Sequence, residues 1–340
     1  IILDESQQIK NPSTRIAKAV YSLKAKNKLV MTGTPIENNL VELWSQFSFL
    51  NPGFLGKFDF FKNNFLKKIS EEKDKEKMLA LKNMINPFLL MRKKKLVAKE
   101  LPEKQISILY CEMNEKQRKF YEIWKNKIRE EIKDAIEEGG FLNAKLKILQ
   151  GLTRLRQICN HPKLVDESYI GSSSKIDLIF DQIQEIIEEG HKILIFSSFI
   201  GMLKIVKEKF DVLNIDYSYL DGQSKNRQDI VNEFIENEKK KIFLISIKAG
   251  GLGLNLTVAD YVFIIDPWWN PAIEMQAIDR VHRIGQKKNV FVYKTIVKDS
   301  VEEKIIELQE SKKELIENLI SSEEGIFKNL NQKDIDKIFQ

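Results

Sequence analysis

Two carboxylates, Asp4 and Glu5, follow directly on the apolar run Ile1–Leu3 in IILDESQQIKN. A carboxylate at the C-terminal tip of a buried parallel strand sits where open α/β sheets take ligands. Adjacent acids there suit a magnesium ion and an attacking water. Asp4 would hold the metal, and Glu5 would orient or deprotonate the nucleophile. The same pair also fits a solvated turn or a helix cap. In MTGTP, residues 31–35, Thr32 and Thr34 offer hydroxyls beside Gly33, whose missing side chain lets a partner approach the backbone. A polar turn before a helix with Pro35 near its start is the competing reading.

Three further stretches carry chemistry. SIKAGGLGLNL, residues 246–256, follows a strand, but Leu256 stands where a dinucleotide fingerprint needs its third Gly. What remains is a Gly-rich turn able to present N–H groups to phosphate. In QAIDRVHRIGQ, residues 276–286, Gln276, Arg280 and Arg283 would share one helical face, with Ala277, Val281 and Ile284 on the packing face beside it. Parallel guanidinium forks match phosphate oxygens. DPWWNP, residues 266–271, sets two tryptophans at a strand end. One is expected in the core, and an exposed one would stack on or wedge against bases.

These groups need elements to hold them. Residues 1–4 and 28–32 read as short buried strands around a helix beginning near Pro12, a strand–helix–strand unit of a parallel sheet. A helix continues over 36–50. From about 57 to 160 the chain is rich in Lys and Glu with helical periodicity, and reads as a helical insert. One long helix should stop at Gly139-Gly140, and a second should end at His161-Pro162. GSSS, residues 171–174, reads as a flexible joint. Strands and helices then alternate from KILIFSSF to NVFVYKTIV, a second α/β domain. The expected division is 1–56, the C-terminal part of a first lobe; 57–170, insert and linker; 171–315, a second lobe; and 316–340, a helical extension.

Composition narrows the classes. The 340 residues carry a formal net charge of +6, which admits a nucleic-acid partner without requiring one. Cys111 and Cys159 make no disulfide framework, and three His with no second Cys–His pair argue against a zinc site. No run approaches the ~18 apolar residues of a membrane span.

The order of these stretches closely resembles the Swi/Snf-type DNA-translocating ATPases of the superfamily-two helicase group. LDESQQIKN is similar to that family's Walker B box, and MTGTPIENNLVELWS to the box after it. PFLLMRKKKLVAKELPEK, residues 87–104, and LRQICNHP, residues 155–162, resemble further family segments. The resemblance implies two RecA-like α/β lobes with parallel sheets, ATP and Mg2+ as cofactors, and double-stranded DNA as partner. It makes Asp4 the magnesium residue, Glu5 the catalytic-water residue, and Gln7 a coupler of nucleotide state to lobe closure. Thr32 and Thr34 would link hydrolysis to DNA. Gly251, Gly253, Asn255 and Gln276 would line the ATP site, with Arg280 and Arg283 on the γ-phosphate. Arg92, Lys93, Lys94, Ser198, Arg227 and Trp269 would meet DNA.

Three positions depart from the family pattern. Ser6 stands for the usual Ala, Ser198 for the usual Gln, and Met91 for the first Arg of a usual pair. No G-x-x-x-x-G-K-[ST] phosphate loop occurs in the 340 residues. The expectation is therefore the C-terminal part of a longer ATPase, with the first lobe cut and no turnover by these residues alone. Nucleoprotein or RNA polymerase would be further partners of a monomer working in microbial cytoplasm at the nucleoid, or in a eukaryotic nucleus. A strand-separating RNA or DNA helicase is the alternative enzyme. A non-catalytic nucleic-acid-binding fragment is the alternative outside enzymes.

Overall fold

The computed structural model describes residues 1–32, 40–70, 72, 74–90, 92, 94–250, 253–269 and 271–307. Thr34, Lys93, Gly251, the Met91 position and the extension 316–340 lie outside the described residues. The described chain forms two compact units, Ile1–Val97 and, from Ala98, the remainder.

In the first unit, strands β1 (Ile2–Leu3) and β2 (Leu29–Val30) run parallel, with Ile2 opposite Leu29 and Leu3 opposite Val30. Helix α1 (Arg15–Tyr21) joins them, capped by the Thr14 hydroxyl, which accepts from the Ala17 N–H. The anticipated strand–helix–strand unit is therefore present, but its strands are not buried: Ile2 and Leu29 are more than half exposed. Helix α2 (Leu40–Leu50) buries Phe49 against Ile9 and Ala17 beneath the strands. Its other apolar residues, Leu43 and Phe47, pack with Leu55, Phe61, Phe65, Ile69, Leu81 and Ile85. Leu55 lies in the turn after α2, and the others come from α3 (Phe58–Phe61), a π-helical turn Lys62–Leu66, α4 (Lys67–Ser70) and α5 (Lys75–Ile85); α6 (Lys94–Val97) closes the unit.

The second unit corrects the helical reading of the insert at one place. Residues 104–111 form strand β3 (Lys104–Cys111), paired in parallel along its length with β8 (Val290–Val297). Helix α7 (Glu115–Asn160) reverses at Gly140, whose φ of 72° is open to glycine and strained for other residues. Its halves pack antiparallel. Gln117 donates to the carbonyls of Ile158 and Cys159, at 2.9 and 3.2 Å. A Cβ on Gly151 would lie 2.4 Å from Ile128, so glycine permits the close approach. The expected break between two helices is met.

The chain continues through α8 (Ser174–Glu188), β4 (Ile193–Ser197), α9 (Ile200–Val212), β5 (Tyr217–Leu220), α10 (Arg227–Glu236), β6 (Ile242–Ser246), α11 (Ile247–Gly250), β7 (Tyr261–Ile264), α12 (Pro271–Ile278) and β8, and is helical again over 301–307. Six parallel strands lie in the order β3-β8-β7-β4-β6-β5. ILIFS and IFLIS are buried throughout, because helices cover both faces. Leu194, Phe196, Phe243 and Ile245 pack with α10, α11 and α12 residues. Ile193, Ile195, Ile242 and Leu244 pack with α8 and α9. From β4 the chain crosses toward β5, and from its neighbour β7 toward β8. The sheet's topological switch point, where such folds take ligands, therefore lies between the tips of β4 and β7.

Two further expectations change. The serines at 172–174 are no loose joint: Ser173 is fully buried with its hydroxyl donating to the Asn160 carbonyl, and Ser174 Oγ accepts from Asn114 N–H at 2.9 Å. The helix through the arginines ends at Ile278, so Arg280 and Arg283 stand in turns rather than on a shared helical face. Ala277 and Val281 are buried, but Ile284 is 70% exposed.

Candidate active site

At the tips of β1 and β2, Asp4, Glu5, Gln7 and Thr32 come together. Asp4 is exposed, and one of its oxygens accepts from the Glu5 N–H at 2.9 Å. Glu5 is held in the left-handed region, at φ 50° and ψ 50°. A non-glycine residue there stores backbone strain of about 1 kcal/mol or more, as functional sites often do. The turn redirects its carboxylate toward Gln7, whose amide donates at 2.6 Å. The Gln7 amide oxygen in turn accepts from Thr32 Oγ1 at 3.1 Å. Glu5, Gln7 and Thr32 thus form one hydrogen-bonded chain across two strand tips. Ser6, by contrast, points inward: it is 2% exposed, and its hydroxyl is buried without a hydrogen-bond partner. Alanine would fit that space without the unsatisfied group.

Hard carboxylate oxygens at an exposed strand tip fit magnesium, which takes one or two carboxylates and completes its shell with water and phosphate. Asp4 and Glu5 offer that set, and Asp4 is the more open of the two.

In the second unit the Gly-rich loop and the arginine turns are stitched together. The Leu256 N–H donates to the Arg280 carbonyl at 3.0 Å. Gln286 donates to the Ala259 carbonyl at 2.8 Å, while its amide oxygen accepts from the N–H groups of Lys287 and Lys288, each at 2.9 Å. Leu254 and Leu256 plug the core, which leaves Asn255 exposed between them. Gly253 and Gly285, at φ 71° and 105°, make the two reversals. Arg283 is exposed, and Gln276 and Arg280 are half-buried. Asp279, the nearby acid, lies 3.8 Å from Lys104 on β3. A backbone loop beside arginines on turns is suited to an anion.

Arg227 opens α10 and donates to the Gly222 carbonyl at 3.1 Å, across the turn built on Asp221. Arg92 is exposed. Lys94 starts α6 and is half-buried.

Ser198 and Trp269 are both engaged within the second unit. The Ser198 hydroxyl and N–H both donate to Asp266, as does the Ser197 hydroxyl. Trp269 is only 7% exposed, so its ring is not an open stacking platform in this state; Trp268 is half-buried. The covering group is Arg156, whose guanidinium lies 5.2 Å from the Trp269 ring and 5.1 Å from that of Phe199. Arg156 also donates to the Pro267 carbonyl at 2.6 Å and sits 3.6 Å from Asp266.

Sequence reasoning treated LRQICNHP as a marker and assigned it no contacts. Beside Arg156, it supplies Asn160, which accepts from Lys175 at 2.9 Å. Lys175 is fully buried, donates to Glu302 at 2.6 Å and to the Ile265 carbonyl at 2.7 Å. Burial pushes the Glu302 carboxyl above the usual range, with Lys175 opposing it. His161 follows, its ring nitrogen accepting from Lys163 N–H at 3.1 Å; burial, helped by Lys163, pulls its pKa down to about 4. Cys111 is pushed up to about 11 by burial, and Cys159 higher still, so neither is a thiolate nucleophile. A Lys directly after a Ser run and an Arg five residues before His-Pro were the only sequence signals for this cluster.

Residues 1–164 match the SNF2-related domain family, and residues 175–285 the helicase conserved C-terminal domain family. The ATPase core of the Sulfolobus solfataricus SWI2/SNF2 protein, solved in complex with double-stranded DNA, is 37% identical. It superimposes with a TM-score of 0.60 over 99% of this chain and 72% of its own. The chain belongs to the SWI2/SNF2 ATPase family. Among curated relatives, an uncharacterised ATP-dependent helicase of Mycoplasma genitalium is 36% identical across 100% of this chain and 32% of its own length. A putative ATP-dependent helicase/translocase of Bacillus subtilis is likewise 36% identical, across 100% of this chain and 37% of its own. The chain thus spans about a third of the length of these relatives. The family's two RecA-like α/β folds correspond to the parallel sheets described above.

Proposed function

We propose that the intact protein hydrolyses ATP to translocate along double-stranded DNA. The observation that carries this reading is the chain Glu5–Gln7–Thr32 at the tips of β1 and β2. It joins a carboxylate suited to activating water to a hydroxyl on the next strand, so a change at either end is felt at the other. Glu5 positions the water and takes its proton, while Gln7 keeps the carboxylate aimed. Magnesium, held through Asp4, would neutralise phosphate charge when bound. On the second unit, Gly253, Asn255 and Gln276 line the nucleotide, and Arg280 and Arg283 meet the γ-phosphate as its charge develops. Gly251 belongs to the same loop.

Thr32, Thr34, Arg92, Lys93, Lys94 and Arg227 follow the DNA backbone, Ser198 shapes the turn beside it, and Trp269 reaches the duplex only after leaving Arg156. The double-stranded DNA bound to the Sulfolobus core supports a duplex substrate.

The test is ATP turnover by the intact protein with and without duplex DNA, paired with triplex displacement. Duplex-stimulated turnover and triplex displacement, both lost in Arg283→Ala, are expected. Unwinding of a forked duplex without triplex displacement would instead mark a strand-separating helicase, and DNA binding with no turnover a binding module.

A further inference from the structure

Several polar groups on the segment leaving β7 are held by other elements. Thr295 and Lys175 donate to the Ile265 carbonyl, both at 2.7 Å. Asp266 is fully buried among Ser197, Ser198 and Arg156. Arg156 also takes the Pro267 carbonyl and covers the Trp269 ring. The Trp268 N–H donates to Glu274 of α12 at 2.6 Å, and Glu274 pairs with Lys294 of β8. Helix α12 then runs to Ile278, just before Arg280. A continuous chain of contacts therefore leads from the second helix of the α7 hairpin, through the turn 265–269, into α12 and the arginine turns. It occupies the sheet's switch point, and Arg156 is its first link. Placing a guanidinium there requires desolvation that a hydrophobic pair would not. What it obtains is geometry: a planar fork that bonds a carbonyl, faces a carboxylate and lies against two rings at once.

We propose that Arg156 is a positioning residue for hydrolysis. It fixes the turn 265–269, and through α12 the arginine turns, so that the position of the α7 hairpin sets the readiness of Arg280 and Arg283. The proposal rests on the ATPase reading for its kinetic consequence, but not for its structural one. Lysine at 156 keeps the charge and loses the fork, so it can pair with Asp266 without holding the Pro267 carbonyl and both rings.

The intact protein, labelled with 5-fluorotryptophan, allows both consequences to be read. Fluorine NMR reports the tryptophans, and Trp269→Phe assigns the signal of Trp269, one of four within these 340 residues. In Arg156→Lys the Trp269 signal is expected to move and become sensitive to solvent, while those of Trp44 and Trp124 stay in place. At saturating DNA, kcat per folded molecule, with the folded fraction counted from the fluorine signals, should fall about tenfold with KM for ATP within twofold. A Trp269 signal that stays in place, or a folded variant with wild-type kcat, overturns the proposal. If Arg156→Lys does not fold, Phe199→Leu removes the other ring against the Arg156 guanidinium and alters no residue assigned to DNA. It should lower kcat alike, and wild-type kcat there overturns the proposal too. Absence of DNA-stimulated turnover in the unmutated protein would remove the ATPase reading, and the fluorine signal would still decide whether Arg156 holds the turn.

Discussion

Two strand tips in this chain read almost alike and behave oppositely. ILDES leaves β1 and FIIDPW leaves β7, each an apolar run ending in aspartate. Asp4 is exposed, and Glu5 beside it is held by a neutral amide that can let go. Asp266 is 0% exposed and committed to two serines and an arginine. The difference lies in what arrives from elsewhere. Nothing cationic among the described residues of the first unit is placed against Asp4, whereas the α7 hairpin delivers Arg156 to Asp266. An acid at a strand tip is therefore reactive or structural according to whether a distant helix brings it a counter-charge.

The contrast can be broken most forcefully at the closed tip. Asp266→Ala strands Arg156 in a dry site and is expected to cost about 3–5 kcal/mol, measured by urea unfolding of the intact protein. A loss near zero would mean that the closed tip is no more structural than the open one. At the open tip, Glu5→Gln should leave the unfolding curve in place and lower duplex-stimulated ATP turnover by about 10²-fold or more. Equal loss of stability and activity there would erase the distinction.

The flank of the closed tip should show itself in acid. His161 is held neutral, with its pKa lowered from 6.5 to about 4, so the unfolded chain binds more protons between those values. Its contribution is complete above pH 6.5 and is lost as pH falls toward 4. Protonation also turns the acceptor for the Lys163 N–H into a donor. His161→Asn keeps an acceptor without titrating. The stability difference between wild type and variant should move in favour of the variant across that window, measured by melts at stepped pH; parallel curves would contradict the assignment. The smallest effect belongs to Ser6→Ala, which removes a buried hydroxyl lacking a partner and should stabilise by about 1 kcal/mol. Destabilisation would show that the hydroxyl is satisfied after all.

Local pattern carried much of the fold. The alternation of strand and helix from 191 to 297 was legible because parallel strands buried on both faces are written as unbroken apolar runs. Strand β3 escaped because it is an edge strand: Ile106 and Tyr110 are more than 40% exposed, and its short apolar run, broken at Ser107, sits among helical text. The helix through Arg280 was over-extended because periodicity does not report a competing partner. Here the Leu256 N–H takes the Arg280 carbonyl out of helical use. The cover on Trp269 was illegible because Arg156 comes from an element far away in sequence.

By itself, then, the sequence determined the family, the parallel α/β character, and which short stretches could meet phosphate, since each depends on residues adjacent along the chain. Tertiary structure alone decided which strand-tip acid stays open, that Gln7 bridges Glu5 to Thr32, and that Arg156 and Lys175 close the tip of β7. Those outcomes hang on burial and on partners from other elements. The free energy of a charge depends on what surrounds it, and the chain's order does not spell out its surroundings.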